Sequence, residues 1–131
     1  MKNLNRILVA IDEDSIGDGN ELPIEVSKAL RLVTDKDSTE LHLFSAAYQK
    51  YLHHDSSSLG FNQIQRRHEY CDLLLKNLDD LVSILQSKGY KADCDVVWAY
   101  PRFEAVVSKA ETISADLVVQ KGRSYGKIEL H

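Results

Sequence analysis

Cysteine, proline and glycine are scarce in this chain of 131 residues, which contains two, two and six of them, respectively. A secreted disulfide scaffold of this length would carry more cysteines than Cys71 and Cys94, so a reducing compartment is expected. Long apolar runs are also missing. The run from Ile7 to Ile11 ends at Asp12 and is too short for a membrane span or a signal-peptide core. We therefore expect a cytoplasmic protein without a membrane segment.

Excess basic charge is absent as well, because the formal net charge is −4 at pH 7. A dedicated nucleic-acid binder needs a basic face to neutralise phosphates, so no nucleic-acid partner is expected. Apolar residues at 44% and charged residues at 27% are typical of a globular chain. Length and composition together predict a single domain over residues 1–131.

Motifs for catalysis and metal binding are missing too. The chain has no P-loop, no Gly-x-Gly-x-x-Gly fingerprint and no Cys-x-x-Cys pair. Ser27, Ser45 and Ser108 lack the Gly-x-Ser-x-Gly context of a nucleophile elbow. His68 and Cys71 lie one turn apart on a predicted helix, but Cys71 begins an apolar stripe, which favours a buried structural thiol. The segment His53-His54-Asp55 has no spacing that fixes ligand geometry. We predict no catalytic residue, no metal site and no enzymatic activity.

Four short apolar runs, at residues 7–11, 41–44, 96–99 and 117–119, each predict a strand. Three helical patterns alternate with them, and Gly89 is placed to end the second helix with a left-handed residue. This alternation predicts an α/β fold with a doubly wound, mostly parallel sheet. The predicted inward-facing helical residues are Ile24, Val26, Ala29, Leu30 and Val33, then Cys71, Leu74, Leu75, Leu78, Leu81, Val82 and Leu85, then Phe103, Val106, Val107 and Ala110.

Only about a dozen residues, ending at His131, follow the fourth predicted strand. We expect the C-terminal helix and strand of a complete doubly wound domain to be missing, which would leave one edge of the sheet uncovered. Proteins usually cover such edges, so a homodimer or a second domain is the expected partner. The chain is then a truncated domain or the first half of a tandem protein.

Ligands of open parallel sheets bind at the carboxyl ends of the strands, where the strand order reverses. If the first strand is central, this crevice lies between Asp12, which ends the first strand, and the residues that follow the fourth. Those residues are Gln120, Lys121, Gly122, Arg123, Ser124 and Lys127. An acid opposite a cationic, glycine-containing loop suits a nucleotide, with the loop at the phosphates. The alternative is that Asp12 only starts a turn and that the basic residues are simply solvated.

Four segments, ILVAID, TELHLFSAA, VVWAYPRFEAVV and SADLVVQK, together resemble the universal stress protein family over nearly the whole chain. The resemblance is greatest to the first domain of the tandem, E-type members. It implies an adenine nucleotide alpha hydrolase-like, Rossmann-like sheet with strand order 3-2-1-4-5. It also implies a role in stress response through dimerisation or paired domains.

Many members of that family bind ATP, and the resemblance implies contacts at matching positions here. Lys121 or Gly122 falls at the first glycine position of the family's phosphate loop, and Ser124 falls at the second. The final Gly-Ser of that loop has no counterpart before the chain stops at His131. No cofactor is certain on this basis, and ATP or AMP is the candidate. The candidate binding residues are Ala10, Ile11, Asp12, Ala46, Gln120, Lys121, Gly122 and Ser124.

Three hypotheses of function stay open. The first is a stress-response domain that acts without catalysis, through dimerisation or partner binding. The second is an adenine-nucleotide switch with a degraded phosphate loop. The third is a sensor of an apolar small molecule under the long irregular segment from Tyr48 to Phe61, whose aromatic residues cover a pocket or only anchor the loop.

Overall fold

The computed structural model describes residues 5–17, 21–49 and 60–126, with the side chains of 60–63 and 123–126 left aside. These residues form five strands, three α-helices and a short 3₁₀ helix at Glu13–Ser15. In chain order the elements are β1 (Arg6–Ala10), α1 (Ile24–Leu30), β2 (Glu40–Ala47), α2 (Gly60–Ser87), β3 (Lys91–Trp98), α3 (Arg102–Ile113), β4 (Leu117–Gln120) and β5 (Arg123–Gly126).

The strands lie in the order β3-β2-β1-β4-β5, and β1 to β4 are mutually parallel. This confirms the predicted α/β fold and its doubly wound sheet. The register places Leu8 of β1 between His42 of β2 and Val118 of β4. β1 is therefore central, and the strand order reverses between β1 and β4.

Side chains of β1 alternate between two apolar layers, because successive residues of a strand point to opposite faces. Ile7 and Val9 pack on the face covered by α1 and α2, together with Leu78 of α2. Leu8 packs on the opposite face against Val106 of α3. This double coverage explains why the run at residues 7–11 is apolar throughout.

The second helix ends as predicted, with Gly89 at φ +93° just beyond Ser87. The helix begins earlier than its apolar stripe indicated, at Gly60, so the last two residues of the segment from Tyr48 to Phe61 are helical. The remainder of that segment from residue 50 onwards lies outside the described residues. None of the described helices combines the length and apolarity needed to cross a membrane.

Two predicted inward-facing residues are wrong. Ile24 at the start of α1 is 62% exposed, whereas its neighbour Glu25 is fully buried. Phe103 in the first turn of α3 is 51% exposed, whereas Val106 is buried as predicted. Both errors lie in a first helical turn, and both residues line cavities at the carboxyl ends of the strands rather than the core.

The edge of the sheet beside β4 is covered, which corrects the expectation of an uncovered edge. β5 pairs with β4 in the antiparallel direction, with Gln120 opposite Arg123. The connection is the two-residue turn Lys121-Gly122, in which Gly122 adopts φ +86°. A glycine makes this turn possible because a positive φ carries no steric cost without a Cβ atom. Among the described residues, a hairpin strand thus takes the edge position that was expected to stay uncovered because the C-terminal helix and strand were expected to be missing.

Candidate functional site

A cavity of about 240 Å³ opens at the carboxyl ends of the central strands. Parallel strands end at the same edge of a sheet, so residues far apart in sequence meet there. Of the predicted site residues, Gly122 lines a neighbouring cavity instead and the side chain of Ser124 is not described. The lining residues are Ala10, Ile11, Asp12, Glu25, Phe44, Ala46, Arg102, Phe103, Val106, Gln120 and Lys121.

Asp12 stands at the rim of this cavity, exposed to solvent. Its Oδ1 accepts a hydrogen bond from the backbone N–H of Asp14 at 3.0 Å, which caps the 3₁₀ helix. Its own backbone N–H donates to Oε2 of Glu25 at 2.9 Å. The carboxylate therefore caps the turn that it starts, which is the structural role considered as the alternative in the sequence analysis. It also lines the cavity at the strand ends.

Glu25 is a buried carboxylate that sequence reasoning missed. Its side chain is fully buried, and its Oε1 has no hydrogen-bond partner among the described residues. Leaving a buried polar atom unpaired costs roughly 1–3 kcal/mol, and more when the atom carries charge. The Glu25 side chain points inward because its other oxygen, Oε2, accepts a hydrogen bond from the backbone N–H of Asp12. A hydrogen-bond donor placed in the cavity beside Oε1 would satisfy this oxygen.

Glu13 forms the centre of a second buried cluster beside the cavity. Only 6% of the residue is exposed, and its Oε1 accepts hydrogen bonds from the Tyr70 hydroxyl at 2.5 Å and the Tyr48 backbone N–H at 3.2 Å. Arg102 forms an ion pair with Oε2 of Glu13 and donates to the Tyr48 carbonyl oxygen at 2.8 Å. The cluster joins β2, α2 and α3 at one point, and it holds Arg102 in the cavity wall.

The apolar part of the cavity wall comes from both sides of the crevice. Phe44 of β2 and Val106 of α3 are buried behind it, and Phe103 is half-exposed at its mouth. An aromatic side chain in this position adds apolar surface at the mouth of the cavity. Sequence reasoning assigned Phe103 to the core. The rule that strand ends carry the site, applied to the residues after β3, would have indicated both Arg102 and Phe103.

An aromatic cluster lies next to the Glu13 cluster. The rings of Tyr48 and Tyr100 stack with centroids 4.4 Å apart, and those of Tyr48 and Trp98 lie 5.6 Å apart. The Arg67 guanidinium lies over the Trp98 ring at 5.2 Å. These rings pack on one another at the ends of β2 and β3, so Tyr48 anchors the start of the long segment against the sheet.

Neither cysteine has the properties of a nucleophile. Burial raises the pKa of the Cys71 thiol above its ordinary value. Burial, and then a hydrogen bond from Sγ to Oδ1 of Asp79 at 3.0 Å, raise the pKa of Cys94 to about 12. A thiol that keeps its proton reacts slowly. Among the described residues no three potential ligands meet at a metal site, and His53-His54-Asp55 lie outside those residues.

Comparison with solved structures shows that the fold resembles that of a known protein. The fold is similar to a crystal structure described as a "Putative Universal Stress Protein" from Pseudomonas aeruginosa UCBPP-PA14, with a TM-score of 0.55 and 18% sequence identity. The similarity covers 88% of this chain and 31% of that one, so this chain spans under a third of the longer protein. No family model and no curated protein matches the sequence. At this identity the likeness shows a shared fold, and the fold is the one that the sequence resemblance implied.

Proposed function

We propose that this chain is a stress-response domain of the universal stress protein type that acts without catalysis, as a binding module for an adenine nucleotide. The observation that carries the proposal is the shared cavity, in which Asp12 from the end of β1 faces Gln120 and Lys121 from the end of β4. This is the switch point of the sheet, where α/β folds of this class bind their ligands.

The chemistry of the wall supports a nucleotide in a defined orientation. The apolar side, with Phe103 at the mouth, suits the adenine ring, and the Asp12 carboxylate suits the hydroxyl groups of the ribose. Lys121 follows the end of β4, which is where the phosphates of the nucleotide are expected. At about 240 Å³ the cavity is slightly smaller than a typical ligand pocket of roughly 300–1,000 Å³, so it accepts the ring and sugar and leaves the phosphates outside.

Titration calorimetry and thermal unfolding with ATP and AMP test the proposal. Ligand at one hundred times its Kd should stabilise the folded chain by about 2.7 kcal/mol, because it binds only the native state. The variant Asp12→Asn keeps an oxygen to accept the Asp14 N–H and removes the charge, and it should weaken binding. Asp80→Asn, an exposed position on α2, is the matched control. Absence of heat and of stabilisation at millimolar nucleotide, or steady release of phosphate, would contradict the proposal.

Assembly is the second candidate function. One edge of the sheet is suited to pairing with another strand, and the other edge is not. The outer strand β3 carries Lys91, Asp93 and Asp95, and such charges discourage the addition of another strand. β5 is the opposite outer strand, and its far edge pairs with none of the described residues. We propose that a second copy of the chain, or a second domain, pairs along β5. Light scattering after size exclusion should then show a dimer, and a monomer at every concentration would exclude self-assembly.

A further inference from the structure

A second cavity of about 310 Å³ lies beside the first, between α1 and the turn that follows β4. The two cavities share Glu25, Gln120 and Lys121 as common wall residues. The second cavity differs sharply in charge, because Lys28 of α1 and Arg31, which follows the end of α1, line it together with Lys121. A ligand with an uncharged ring at one end and anionic groups at the other matches this pair of neighbouring cavities.

Among the described residues, one acidic residue, Glu25, lines this second cavity, and it forms no ion pair with the three cations there. Within the described ranges, neither Lys28, Arg31 nor Lys121 lies within ion-pair distance of an acidic side chain. Lys28 Nζ donates one hydrogen bond, to the Gln120 carbonyl oxygen at 3.3 Å, and retains two further protons. Three cations against one carboxylate leave an excess of positive charge around this concavity, which attracts an anion, and the mutual repulsion of the cations is relieved when the anion binds.

The backbone beside this cavity is poorly suited to replace these side chains as a phosphate binder. Phosphate loops use backbone N–H groups that point freely at the ligand. Here the residues after Gly122 form β5, and its backbone groups on the β4 side are used in strand pairing. Side-chain cations from α1 therefore offer the better donors for an anion at this position.

The junction of the two cavities carries an independent sign of a missing ligand group. Glu25 lies in the wall of both, and its buried Oε1 has no partner among the described residues. A hydroxyl donor between a ring in the first cavity and an anion in the second would satisfy this oxygen. A sugar between a base and a phosphate chain has that chemistry.

We propose that the second cavity is an anion subsite in which Lys28, Arg31 and Lys121 bind the phosphate groups of the ligand whose ring occupies the first cavity. The inference rests on the proposed function for the identity of the ring, but the subsite itself depends only on the cations. Phosphate recognition would thus have moved from a glycine loop to the side chains of the first helix.

Calorimetry with adenosine, ATP and inorganic tripolyphosphate tests the subsite on the double variant Lys28→Gln/Arg31→Gln. We expect the ATP affinity to fall about tenfold or more, since each charge-assisted hydrogen bond is worth roughly 1.5–3 kcal/mol. Adenosine affinity should change less than about twofold, which is under 0.5 kcal/mol. Arg66→Gln/Lys76→Gln, exposed positions on α2 outside both cavities, makes the same change in charge and should leave both affinities unchanged.

The three probes separate failure of the subsite from failure of the proposed function. Equal affinities of the wild-type chain for adenosine and ATP would overturn the subsite and leave adenine binding intact. Binding of tripolyphosphate that depends on Lys28 and Arg31, with no adenosine binding, would support the subsite and overturn the adenine ligand. The variant Lys28→Arg retains the charge and should keep the ATP affinity, and a loss as large as that of the double variant would overturn the role of charge. Binding of none of the probes would overturn both proposals.

Discussion

Removal of the Glu13 side chain should destabilise the fold more than its position in a short 3₁₀ helix suggests. Glu13→Ala deletes the acceptor for the Tyr70 hydroxyl and the Tyr48 N–H, and it leaves Arg102 without its buried partner. Breaking a buried pair from one side costs roughly 3–5 kcal/mol. The Arg102 side chain is 49% exposed and regains water, so we expect the lower end, a loss of about 3 kcal/mol in the free energy of unfolding.

Urea unfolding followed by circular dichroism measures this loss by linear extrapolation. Asp14→Ala is the matched control, because Asp14 is the next residue, is exposed, and uses only its backbone N–H to contact Asp12. It should change the unfolding free energy by less than about 0.5 kcal/mol. Glu13→Gln keeps an oxygen acceptor, so its loss of unfolding free energy should lie between those of Glu13→Ala and Asp14→Ala. A Glu13→Ala variant as stable as the control would refute the view that this cluster holds the ends of β2, α2 and α3 together.

Three further outcomes are expected. Cys94 should be alkylated slowly at pH 8, since its pKa lies at about 12, and Asp79→Asn should speed the reaction because it removes a negative charge beside the thiol; equal rates would contradict this. Because the pKa of Cys94 is raised to about 12 in the folded chain, the contribution of this thiol to stability is complete below about pH 9 and is lost as the pH rises to about 12. Cys94→Ser should therefore lessen the decline of the unfolding free energy between these two pH values, which unfolding measured as a function of pH would show. Gly89→Ala should destabilise by about 1–2 kcal/mol in thermal unfolding: the nearest atom to an added Cβ, Lys36 Cδ, is 3.7 Å away, so the cost is the φ of +93° rather than a clash, and an unchanged Tm would contradict it.

The α/β class and the alternation of strands and helices could be predicted because they depend on patterns that survive without an alignment, whereas the strand order was implied by the family resemblance. Short β-branched runs alternate with helical stripes, and right-handed crossovers leave few ways to arrange them. The end of α2 was predictable for the same reason, since Gly89 supplies a conformation that other residues avoid. Asp12, Gln120 and Lys121 followed from the sheet alone, because residues after parallel strands meet at one edge.

The parts that could not be predicted depend on single tertiary contacts. Glu25 turns inward to accept the N–H of Asp12, and no periodic pattern reports such a bond. Arg102 is drawn into the cavity wall by Glu13, a pairing across 89 positions of sequence. The strand β5 escaped prediction because it is only four residues long, Arg123–Gly126, and is formed through a turn that one glycine permits.

The central claim is that the crevice between β1 and β4 binds an adenine nucleotide, and amide chemical-shift mapping during an ATP titration tests it most directly. The account predicts that the largest shifts fall on Ile11, Asp12, Lys121 and Gly122, with a smaller set on α1. Saturable shifts confined to the aromatic residues at the ends of β2 and β3, or no shifts at millimolar ATP, would contradict it.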